Sequence, residues 1–301
     1  MFPSHTLLDW YRQFGRTHLP WRTTRDPYRV LVSEFMLQQT QVERVLPLYE
    51  AFVARFPDFA ALASADTADV VRMWRGLGYN SRAVRLHRIA RAVVAGDGSL
   101  PREREALLAL PGIGPYTASA VRAFAFDLDE VALDTNLRRV VHRMLFGLEY
   151  PARASERELD AQLRAALPAG AAHDWNSALM DLGATRCTAR APKCLLCPLR
   201  DACAAAPIDA AVLANAARAH AKKKSPQEAL RFEQTRRYLR GRIIDRLRDL
   251  APREAIALET LEADLRQIVP ATRLPEIADT VQALIQDGFL IEDARGIALA
   301  T

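Results

Sequence analysis

The chain has 301 residues, of which 50% are hydrophobic and 26% are charged, a balance typical of globular proteins with a sizeable core. It contains no apolar run of about 18 residues and no basic segment followed by an apolar one at its N-terminus. We therefore expect neither a membrane span nor a secretory signal peptide. The formal net charge of +5 suits a polyanionic partner. Residues 231–301 contain 11 arginines and 12 carboxylates, which places the excess positive charge in residues 1–230.

Helices dominate the predicted structure because alanine, leucine and arginine are abundant and alternating β-branched runs are scarce. Asp26 followed by Pro27 predicts an N-cap and the start of a helix. In chain order, the helices predicted in the first half of the chain span residues 27–41, 42–56, 67–74, 81–94, 101–110, 115–126 and 135–145.

The last third of the chain differs in composition. Residues 208–230 are rich in alanine and lysine, which predicts a linker. The elements predicted beyond it are helices at 233–250, 257–268 and 275–286 and a hairpin at 289–299. Three helices followed by a hairpin indicate a small winged-helix-like domain. Its first helix is basic, so we expect that helix to contact DNA or the rest of the protein.

All four cysteines lie within 17 residues, at Cys187, Cys194, Cys197 and Cys203. This clustering predicts a ligand set, because disulfides are disfavoured in a cytosolic protein and independent core cysteines would be scattered. A tetrahedral zinc ion and a four-iron cluster are both held by four thiolates. Zinc sites usually have two short C-x2-C pairs and this chain has one. The spacing therefore favours an iron–sulfur cluster without excluding zinc.

A glycine-rich turn, LPGIGPYT at residues 110–117, joins two predicted apolar helices. Gly112 and Gly114 leave the backbone free of side chains, and Pro115 opens the second helix. The unpaired amides and the dipole at that helix start form a site for a phosphate oxygen. A simple helical corner is the alternative. The residues favour a helix–hairpin–helix, which grips a DNA strand without reading its sequence.

Glu34 lies in a helical segment that is apolar nearly all round, four residues after Val30 and three after Leu31. A carboxyl group held on that face is partly desolvated, which raises its pKa and makes it a proton donor near neutral pH. The alternative is a buried glutamate paired with Arg22 or Arg44. The local sequence leaves both interpretations open.

Asp134 follows three apolar residues and opens the helix that begins at Thr135. Its simplest role is that of an N-cap, which the local sequence favours. We expect the helix amides to keep its carboxylate ionised. A protonated glutamate and an ionised aspartate are the pair that cleavage of a glycosidic bond needs.

Several motifs together closely resemble the MutY-type adenine DNA glycosylases, over about residues 5–205 and in the expected order. The combination of MLQQTQ, the glycine hairpin and the cysteine spacing is highly specific. The segments that carry the resemblance are LPWR at 19–22, SEFMLQQTQV at 33–42, GLGY at 76–79, LPGIGPYTA at 110–118, LDTN at 133–136 and MDLGA at 180–184.

The resemblance implies a mainly α fold, the helix–hairpin–helix DNA glycosylase fold, with a six-helix barrel beside an iron–sulfur cluster domain. We expect residues 1–20 with 128–207 to form the cluster domain, 21–127 the barrel, 208–230 the linker and 231–301 the C-terminal domain. The four cysteines would hold a 4Fe–4S cluster with a structural or DNA-sensing role.

The activity implied by the resemblance is base excision repair: hydrolysis of the N-glycosidic bond of adenine opposite 8-oxoguanine or guanine, after base flipping. Glu34 would protonate the adenine and Asp134 would stabilise the positively charged sugar. Tyr116 and Asn136 would support the water and the sugar intermediate. The residues implied in binding the base or the DNA are Arg22, Leu37, Gln38, Gln39, Tyr79, Gly112, Gly114 and Thr117.

Tyr116 also separates two kinds of glycosylase. Related bifunctional enzymes, which also nick the strand, have a lysine at this place that forms a Schiff base with the sugar. A phenol cannot do this, so we predict a monofunctional enzyme. Its expected partner is double-stranded DNA containing a mismatch or lesion. We expect a monomer that is cytoplasmic and nucleoid-associated.

The chain departs from the family pattern at three places. The family more often has glycine where Thr135 stands and a second aromatic residue where Asn80 follows Tyr79. Full-length members carry a Nudix-like, β-rich domain that recognises 8-oxoguanine. Only 94 residues follow Pro207 here and they are predicted to be mostly helical. The chain thus resembles a short form that lacks this domain.

Two other functions compete with adenine removal. A thymine or uracil mismatch glycosylase would share Tyr116 and the cysteines but generally lacks the QQTQ segment. A catalytically silent iron–sulfur DNA-binding protein would keep the fold without the chemistry. The joint presence of Glu34, Asp134, Tyr116 and Asn136 argues against it.

Overall fold

The computed structural model describes residues 2–221 and 230–301, and the predicted mainly α class is confirmed. The first helices are α1 (Ser4–Phe14), α2 (Pro27–Leu37), α3 (Val42–Arg55), α4 (Phe59–Ala63), α5 (Thr67–Met73), α6 (Ser81–Ala95), α7 (Arg104–Ala109) and α8 (Pro115–Phe124). They are followed by α9 (Thr135–Phe146), α10 (Glu156–Ala166), α11 (Ala172–Thr185), α12 (Ala210–Ala219), α13 (Arg236–Arg248), α14 (Leu258–Leu265) and α15 (Ile277–Gln286). Two strands, β1 (Leu290–Asp293) and β2 (Gly296–Leu299), form an antiparallel hairpin.

The described residues divide into two compact units. Those within 1–34 and 100–222 form the first unit, and those within 35–99 and 223–301 form the second. Each unit has its own hydrophobic core. Our four-part domain division stays a prediction.

In the first unit the core is built around α11, which is buried along most of its length and packs against α1 and α9. Asn176, in the middle of α11, is fully buried. Its side chain accepts a hydrogen bond from the Ala132 amide (2.9 Å) and donates to the carbonyl oxygens of Glu130 (2.9 Å) and Ala172 (2.7 Å). A buried amide group with its hydrogen bonds satisfied anchors the non-helical segment that leads into α9.

In the second unit α5 and α6 share one hydrophobic core with α13, α14, α15 and the hairpin. Leu239, Ile243 and Leu247 are spaced four residues apart on α13, which places them on one face of the helix. Val71 of α5 and Val84 of α6 belong to the same cluster. The C-terminal helices therefore complete the core that α5 and α6 begin, and the basic first helix contacts protein through this apolar face.

The three C-terminal helices and the hairpin are present as predicted, while the winged-helix assignment stays a prediction. Strand β1 pairs with β2 from Leu290 opposite Leu299 to Asp293 opposite Gly296. Gly296 has a φ of +120°, and a Cβ at this position would lie 2.4 Å from the carbonyl oxygen of Ile256. Only glycine permits this backbone conformation and this close approach.

Helix α2 ends at Leu37, four residues before the predicted end at Gln41. Gln39 lies in the left-handed region, with a φ of 56°. The carbonyl oxygens of Phe35 and Met36, at the end of α2, both accept hydrogen bonds from Arg82 at 2.8 Å. The predicted helix was therefore too long. The carbonyl oxygens of its last turn are satisfied by an arginine that is distant in the sequence, and no local signal marks this end.

Helix α12 lies inside the stretch predicted as a linker. The Asp209 carboxylate caps it by accepting hydrogen bonds from the amides of Ala211 (2.8 Å) and Val212 (2.9 Å). Alanine has the highest helix propensity, so this part of the predicted linker is a helix. Residues 222–229 of the predicted linker lie outside the described residues.

Across residues 2–221 and 230–301, none of the helices combines the length and the apolar character that crossing a membrane requires.

Replacing Ile243 by Ala removes a fully buried side chain from the core of the second unit. We expect the free energy of unfolding, measured by urea denaturation, to fall by about 3 kcal/mol. Arg295→Ala, at the exposed hairpin turn, should change it by less than about 0.5 kcal/mol. Amide hydrogen exchange in I243A should accelerate in α5 and α6 as well as in α13. Acceleration confined to α13–α15 would contradict a shared core.

Candidate active site and nucleic-acid interface

Glu34 is a buried carboxyl group on α2, with 8% of its surface exposed. Burial is the main cause that raises its pKa, to about 7, and the charge of Asp134 raises it further. The Tyr116 hydroxyl and the positive charge of Arg22 act in the opposite direction. Glu34 has no ion pair among the described residues, so the alternative of a paired glutamate is wrong. A carboxyl group of this kind is half-protonated near neutral pH.

Tyr116, on the first turn of α8, places its hydroxyl within hydrogen-bonding reach of the Glu34 carboxyl. Burial, followed by the charges of Glu34 and Asp134, raises the pKa of the phenol well above its usual value. The hydroxyl therefore stays protonated and can donate a hydrogen bond at any physiological pH.

Asp134 is the N-cap of α9, as predicted: its carboxylate accepts a hydrogen bond from the Leu137 amide at 2.7 Å. Asn136 donates to the other carboxylate oxygen at 2.9 Å. Both hydrogen bonds favour the ionised form. Burial outweighs them and raises the pKa of Asp134 from its ordinary value, an effect that the local sequence did not reveal.

A chain of hydrogen bonds leads from Asp134 to the cysteine loop. Asn136, which donates to Asp134, accepts a hydrogen bond from Arg139 at 2.9 Å. Arg139 also donates to the carbonyl oxygens of Gly183 and Cys187, each at 2.8 Å. A Cβ at Gly183 would lie 2.8 Å from the Cβ of Asn136, so glycine is needed for this close approach.

Arg22 is held close to this site by α11. Its guanidinium donates to the Ser177 hydroxyl, lies 3.9 Å from the Asp181 carboxylate and stands over the Phe124 ring at 5.4 Å. Asp181 also accepts three hydrogen bonds from Arg16, at 2.7–2.9 Å. The Nε–H of Arg22 is buried and has no acceptor among the described residues.

The glycine hairpin has the geometry of an anion site. Gly112 has a φ of 95°, and Gly114 is the N-cap of α8, with open space where its Cβ would be. In the described part of the chain, neither the Tyr116 nor the Thr117 amide donates to a backbone carbonyl. Two free amides at a helix N-terminus suit a phosphate oxygen. Thr117 is buried, so its side chain does not face such a ligand.

In the second unit, residues 37–41 and 76–80, which we call the wedge loops, are joined by the buried Arg82. Its guanidinium donates to the carbonyl oxygens of Gln38 (2.6 Å), Leu77 (3.0 Å) and Gly78 (3.1 Å) and to the Thr40 hydroxyl (3.1 Å). One cation thus fixes two loops that are distant in sequence.

Four side chains of the wedge loops are implied by the resemblance in binding DNA, and two of them are exposed. Gln39 and Tyr79 are exposed and both have a positive φ, of 56° and 43°. Leu37 and Gln38 are half-buried. Such backbone strain at exposed side chains is typical of a binding surface.

The cysteine loop belongs to the first unit, and Cys187, Cys197 and Cys203 are partly packed against its core. Burial raises the pKa of all three of these thiols, and of Cys197 to about 11. The other three thiols, including Cys194, act electrostatically on Cys197, which places the four together. Within the described residues no group of Cys, His, Asp or Glu side chains has the arrangement that holds a metal ion. Four thiols with no other donor are nevertheless the ligand set of zinc or a four-iron cluster.

The fully buried Arg143 connects α9 to the cysteine loop. Its guanidinium donates to the Thr188 carbonyl oxygen (2.8 Å), to the Glu149 carboxylate (2.6 and 2.7 Å) and to the Cys187 sulfur (3.6 Å). A cation beside a thiol sulfur favours the thiolate that metal ligation requires.

Sequence reasoning missed the residues that position the site. Arg139 carried a local signal, because it follows Asn136 by one helical turn and so shares its face. Arg82 carried none, because its acceptors are up to 47 residues away in the sequence. Asp181 and Gly183 were part of the MDLGA segment, but their contacts were not predicted.

The buried Glu34 carboxyl, the half-buried Asp134 carboxylate and the glycine hairpin define the class of helix–hairpin–helix DNA glycosylases. In agreement, the family model of the HhH-GPD superfamily base excision DNA repair proteins matches residues 32–165. Among solved structures, a thermostable thymine-DNA glycosylase is similar with a TM-score of 0.61 and 33% sequence identity, over 67% of this chain and 93% of that one.

Curated relatives identify the family within this class of DNA glycosylases. The adenine DNA glycosylase of Mycolicibacterium smegmatis is 42% identical over 246 residues, 81% of this chain and 79% of that protein. The adenine DNA glycosylase of Mycobacterium tuberculosis is 43% identical over 251 residues, 80% of this chain and 77% of that protein. The chain therefore belongs to the adenine DNA glycosylase family. The predicted activity of a base excision repair glycosylase, which hydrolyses N-glycosidic bonds in DNA, is confirmed at this level.

The raised pKa of Glu34 makes stability depend on pH in a defined direction. Between the ordinary pKa of 4.5 and about 7, the unfolded chain has ionised Glu34 while the folded protein keeps it protonated, so stability is lost as pH rises. Glu34→Gln removes this loss. We therefore expect the free energy of unfolding of E34Q minus that of the native protein to increase by about 3 kcal/mol from pH 4.5 to pH 7.5.

Urea denaturation of both proteins across this pH range measures this difference. The contributions of the other titrating groups are the same in both proteins and therefore cancel. Glu43→Gln, at an exposed carboxylate on α3, is the matched control and should give a constant difference. A difference for E34Q that does not change with pH would contradict the raised pKa.

Proposed function

We propose that this enzyme is a monofunctional, monomeric glycosylase that removes adenine opposite 8-oxoguanine or guanine from double-stranded DNA. The observation that carries the proposal is the buried Glu34 carboxyl, with a pKa of about 7, next to the Tyr116 hydroxyl and the Asp134 carboxylate. A proton donor and an anion held together are what the hydrolysis of a glycosidic bond requires.

Glu34 supplies the proton. Near neutral pH about half of the molecules have it protonated, so it can give its proton to a ring nitrogen of adenine and be reprotonated in each turnover. Protonation makes the base a neutral leaving group, and the bond from the sugar C1′ to the base then breaks with both electrons passing to the base. The Tyr116 hydroxyl and Arg22 limit the rise of the pKa, which keeps Glu34 from being permanently protonated.

Asp134 faces the positive charge that remains on the sugar. Its orientation is set by the Leu137 amide and by Asn136, so little rearrangement is needed when the charge develops. Water then adds to C1′, and its proton returns to the Glu34 carboxylate. Water and the glycosidic bond are consumed, and free adenine and an abasic site are produced.

The absence of an amine at Tyr116 supports monofunctional chemistry. A Schiff base with the sugar needs a lysine or an N-terminal amine, and the phenol with its raised pKa stays neutral. The abasic site should therefore leave the enzyme with its strand intact.

The hairpin and the wedge loops would engage the DNA. The free amides of Tyr116 and Thr117 suit a backbone phosphate, and the exposed Gln39 and Tyr79 suit insertion beside the target base. Removing the base from the helix is required because the bond to be cut lies inside the stack. Arg22, whose charge acts on Glu34, would then contact the extruded base.

A second candidate is removal of thymine or uracil opposite guanine. It is favoured by the 33% identity with the thermostable thymine-DNA glycosylase. The QQTQ segment and the higher identity to adenine DNA glycosylases favour adenine.

A single-turnover assay decides between these functions, on duplexes with A opposite 8-oxoguanine, A opposite G, T opposite G and U opposite G. We expect base release from the two adenine duplexes, with strand cleavage only after alkali treatment. Faster release of T or U would support the second candidate. Strand cleavage without alkali would refute the monofunctional assignment. The absence of base release from every duplex would refute the proposed glycosylase activity.

Asp134→Asn keeps the shape and an acceptor for one of the two hydrogen bonds, but it removes the negative charge. We expect the rate of adenine release to fall about 1,000-fold, with the Kd for DNA within about threefold of the native value. Asp9→Asn, at an exposed aspartate on α1 whose one ion-pair partner among the described residues is Arg12, is the control and should release adenine at the native rate. A D134N rate within about tenfold of the native one would contradict the role of Asp134.

We also propose that Cys187, Cys194, Cys197 and Cys203 hold a 4Fe–4S cluster. The clustering of the four thiols and the cations Arg139 and Arg143 beside Cys187 support it. When bound, the cluster would link the four cysteines covalently and so hold the cysteine loop against the core of the first unit. No step of base release passes through it.

Purified protein should be brown, with broad visible absorbance and about four irons per chain. Cys197→Ser should lose most of the iron and lower the temperature of unfolding, because metal binding energy contributes to folding. The control is Ser99→Ala, at an exposed serine outside the loop, with native iron content. A colourless protein with about one zinc per chain would contradict the iron–sulfur cluster.

A further inference from the structure

One face of α11 carries three groups that hold Arg22. Ser177, Met180 and Asp181 are spaced i, i+3 and i+4 along this helix, so they share a face. We propose that Asp181 is a positioning residue for base release: it holds the Arg22 guanidinium on α11 and so keeps that cation from pairing with the Glu34 carboxyl. The proposal rests on the proposed function, in which Glu34 supplies the proton.

The first argument is the way in which Arg22 is bound. One terminal nitrogen of its guanidinium donates to the Ser177 hydroxyl. The other lies 3.8 Å from the Met180 sulfur and 3.9 Å from a carboxylate oxygen of Asp181. The guanidinium carbon also stands over the Phe124 ring, 5.4 Å from its centre. Both ends of the planar guanidinium therefore have partners on α11, which fixes its orientation.

The second argument is the burial of Asp181, whose side chain is 1% exposed and lies between two arginines. Arg16 donates to it from the backbone amide (2.7 Å), from Nε (2.9 Å) and from a terminal nitrogen (2.7 Å). The loss of one partner from such a buried ion pair leaves the remaining charge uncompensated. Without Asp181, Arg22 would therefore need another anion, and Glu34 is a carboxyl group on which its charge already acts.

The third argument is the balance of charges around Glu34. The groups that act on it are the Tyr116 hydroxyl on α8, the Asp134 carboxylate at the start of α9 and the Arg22 guanidinium. Burial raises the pKa of Glu34 to about 7, and Arg22 is the cation of this set that lowers it. A full ion pair lowers the pKa of a carboxyl by about 1–3 units. By holding and partly neutralising Arg22, Asp181 leaves Glu34 its proton near neutral pH.

Two more titratable groups lie near Arg22, Tyr11 on α1 and His173 on α11. Burial is the main cause that raises the pKa of Tyr11 and lowers the pKa of His173 from their ordinary values. Both are therefore uncharged between about pH 7 and pH 9. Asp174, which accepts a hydrogen bond from His173 at 2.8 Å, is at the surface with 54% of its side chain exposed. Over this pH range Asp181 is the buried carboxylate that compensates Arg22.

The first test measures the protonation of Glu34 directly and needs no catalysis. The full chain is labelled with ¹³C at the glutamate carboxyl carbons, and the NMR signal of Glu34 is assigned from its absence in E34Q. We expect its titration midpoint to be about 7 in the native protein and about one pH unit lower in Asp181→Asn. An Asp181→Asn midpoint equal to the native one, or above it, would overturn the proposal.

Arg16→Met separates positioning from a loss of structure. It breaks the same buried ion pair but leaves Asp181 with Arg22 as its partner, so the Glu34 midpoint should stay at the native value or rise. A fall in Arg16→Met would overturn the proposal, whether or not Asp181→Asn folds. Asp9→Asn, the same change at an exposed aspartate, is the control and should keep the native midpoint.

Arg22→Met tests whether Asp181 acts through Arg22. Removing the cation should raise the Glu34 midpoint, and adding Asp181→Asn in this background should not lower it again. If the second change still lowered the midpoint by about one unit, Asp181 would act without Arg22 and the positioning role would be wrong.

The second test compares single-turnover release of adenine opposite 8-oxoguanine at two pH values. Because only protonated Glu34 is active, Asp181→Asn should lower the rate about tenfold at pH 7.5 and less than about twofold at pH 5.5. An equal loss at both pH values would indicate a structural defect and overturn the positioning role. A lowered NMR midpoint without this change in the rate profile would support the hold on Arg22 and reject Glu34 as the proton donor. A native midpoint in active Asp181→Asn would reject only the role of Asp181.

Discussion

A carboxyl group buried without an ion pair among the described residues is the constraint on which the active site depends. Glu34 lies on a helix that is apolar nearly all round, so the folded protein cannot hydrate its charge, and the cost of ionisation keeps the proton on it near neutral pH. A salt bridge at this place would have lowered the pKa and removed the proton donor. The neutral Tyr116 hydroxyl is a partner that leaves the proton in place. The site thus obtains its chemistry from desolvation and not from a strong base nearby.

Buried and half-buried arginines hold the remaining parts in place, each through two or more carbonyl oxygens. Arg82 connects the two wedge loops, Arg139 connects Asn136 to the cysteine loop, and Arg143 connects α9 to the same loop. A guanidinium has five donors in a fixed plane, so it can satisfy several chain segments at once. Loops that carry function are usually the least restrained parts of a fold. Here arginine side chains beneath the exposed surface of the loops restrain them.

The sequence was sufficient where local physics decides the outcome. Glu34 shares a face with apolar residues, and Asp134 precedes a helix, so burial of the one and capping by the other follow from neighbours in the chain. The end of α2 and the role of Arg82 could not be predicted, because they depend on partners more than 40 residues away. The raised pKa of Asp134 could not be predicted either, because its burial is produced by packing that no local pattern records.

The shared core of the second unit affects how the chain folds during its synthesis. The apolar faces of α5 and α6 are completed by α13, α14 and α15, more than 150 residues later. At translation rates of about 5–20 residues per second, those faces stay uncovered for roughly 8–30 s. The first unit needs only residues up to 222 and can close its core earlier. During synthesis the second unit is consequently the part most exposed to aggregation and most dependent on chaperones.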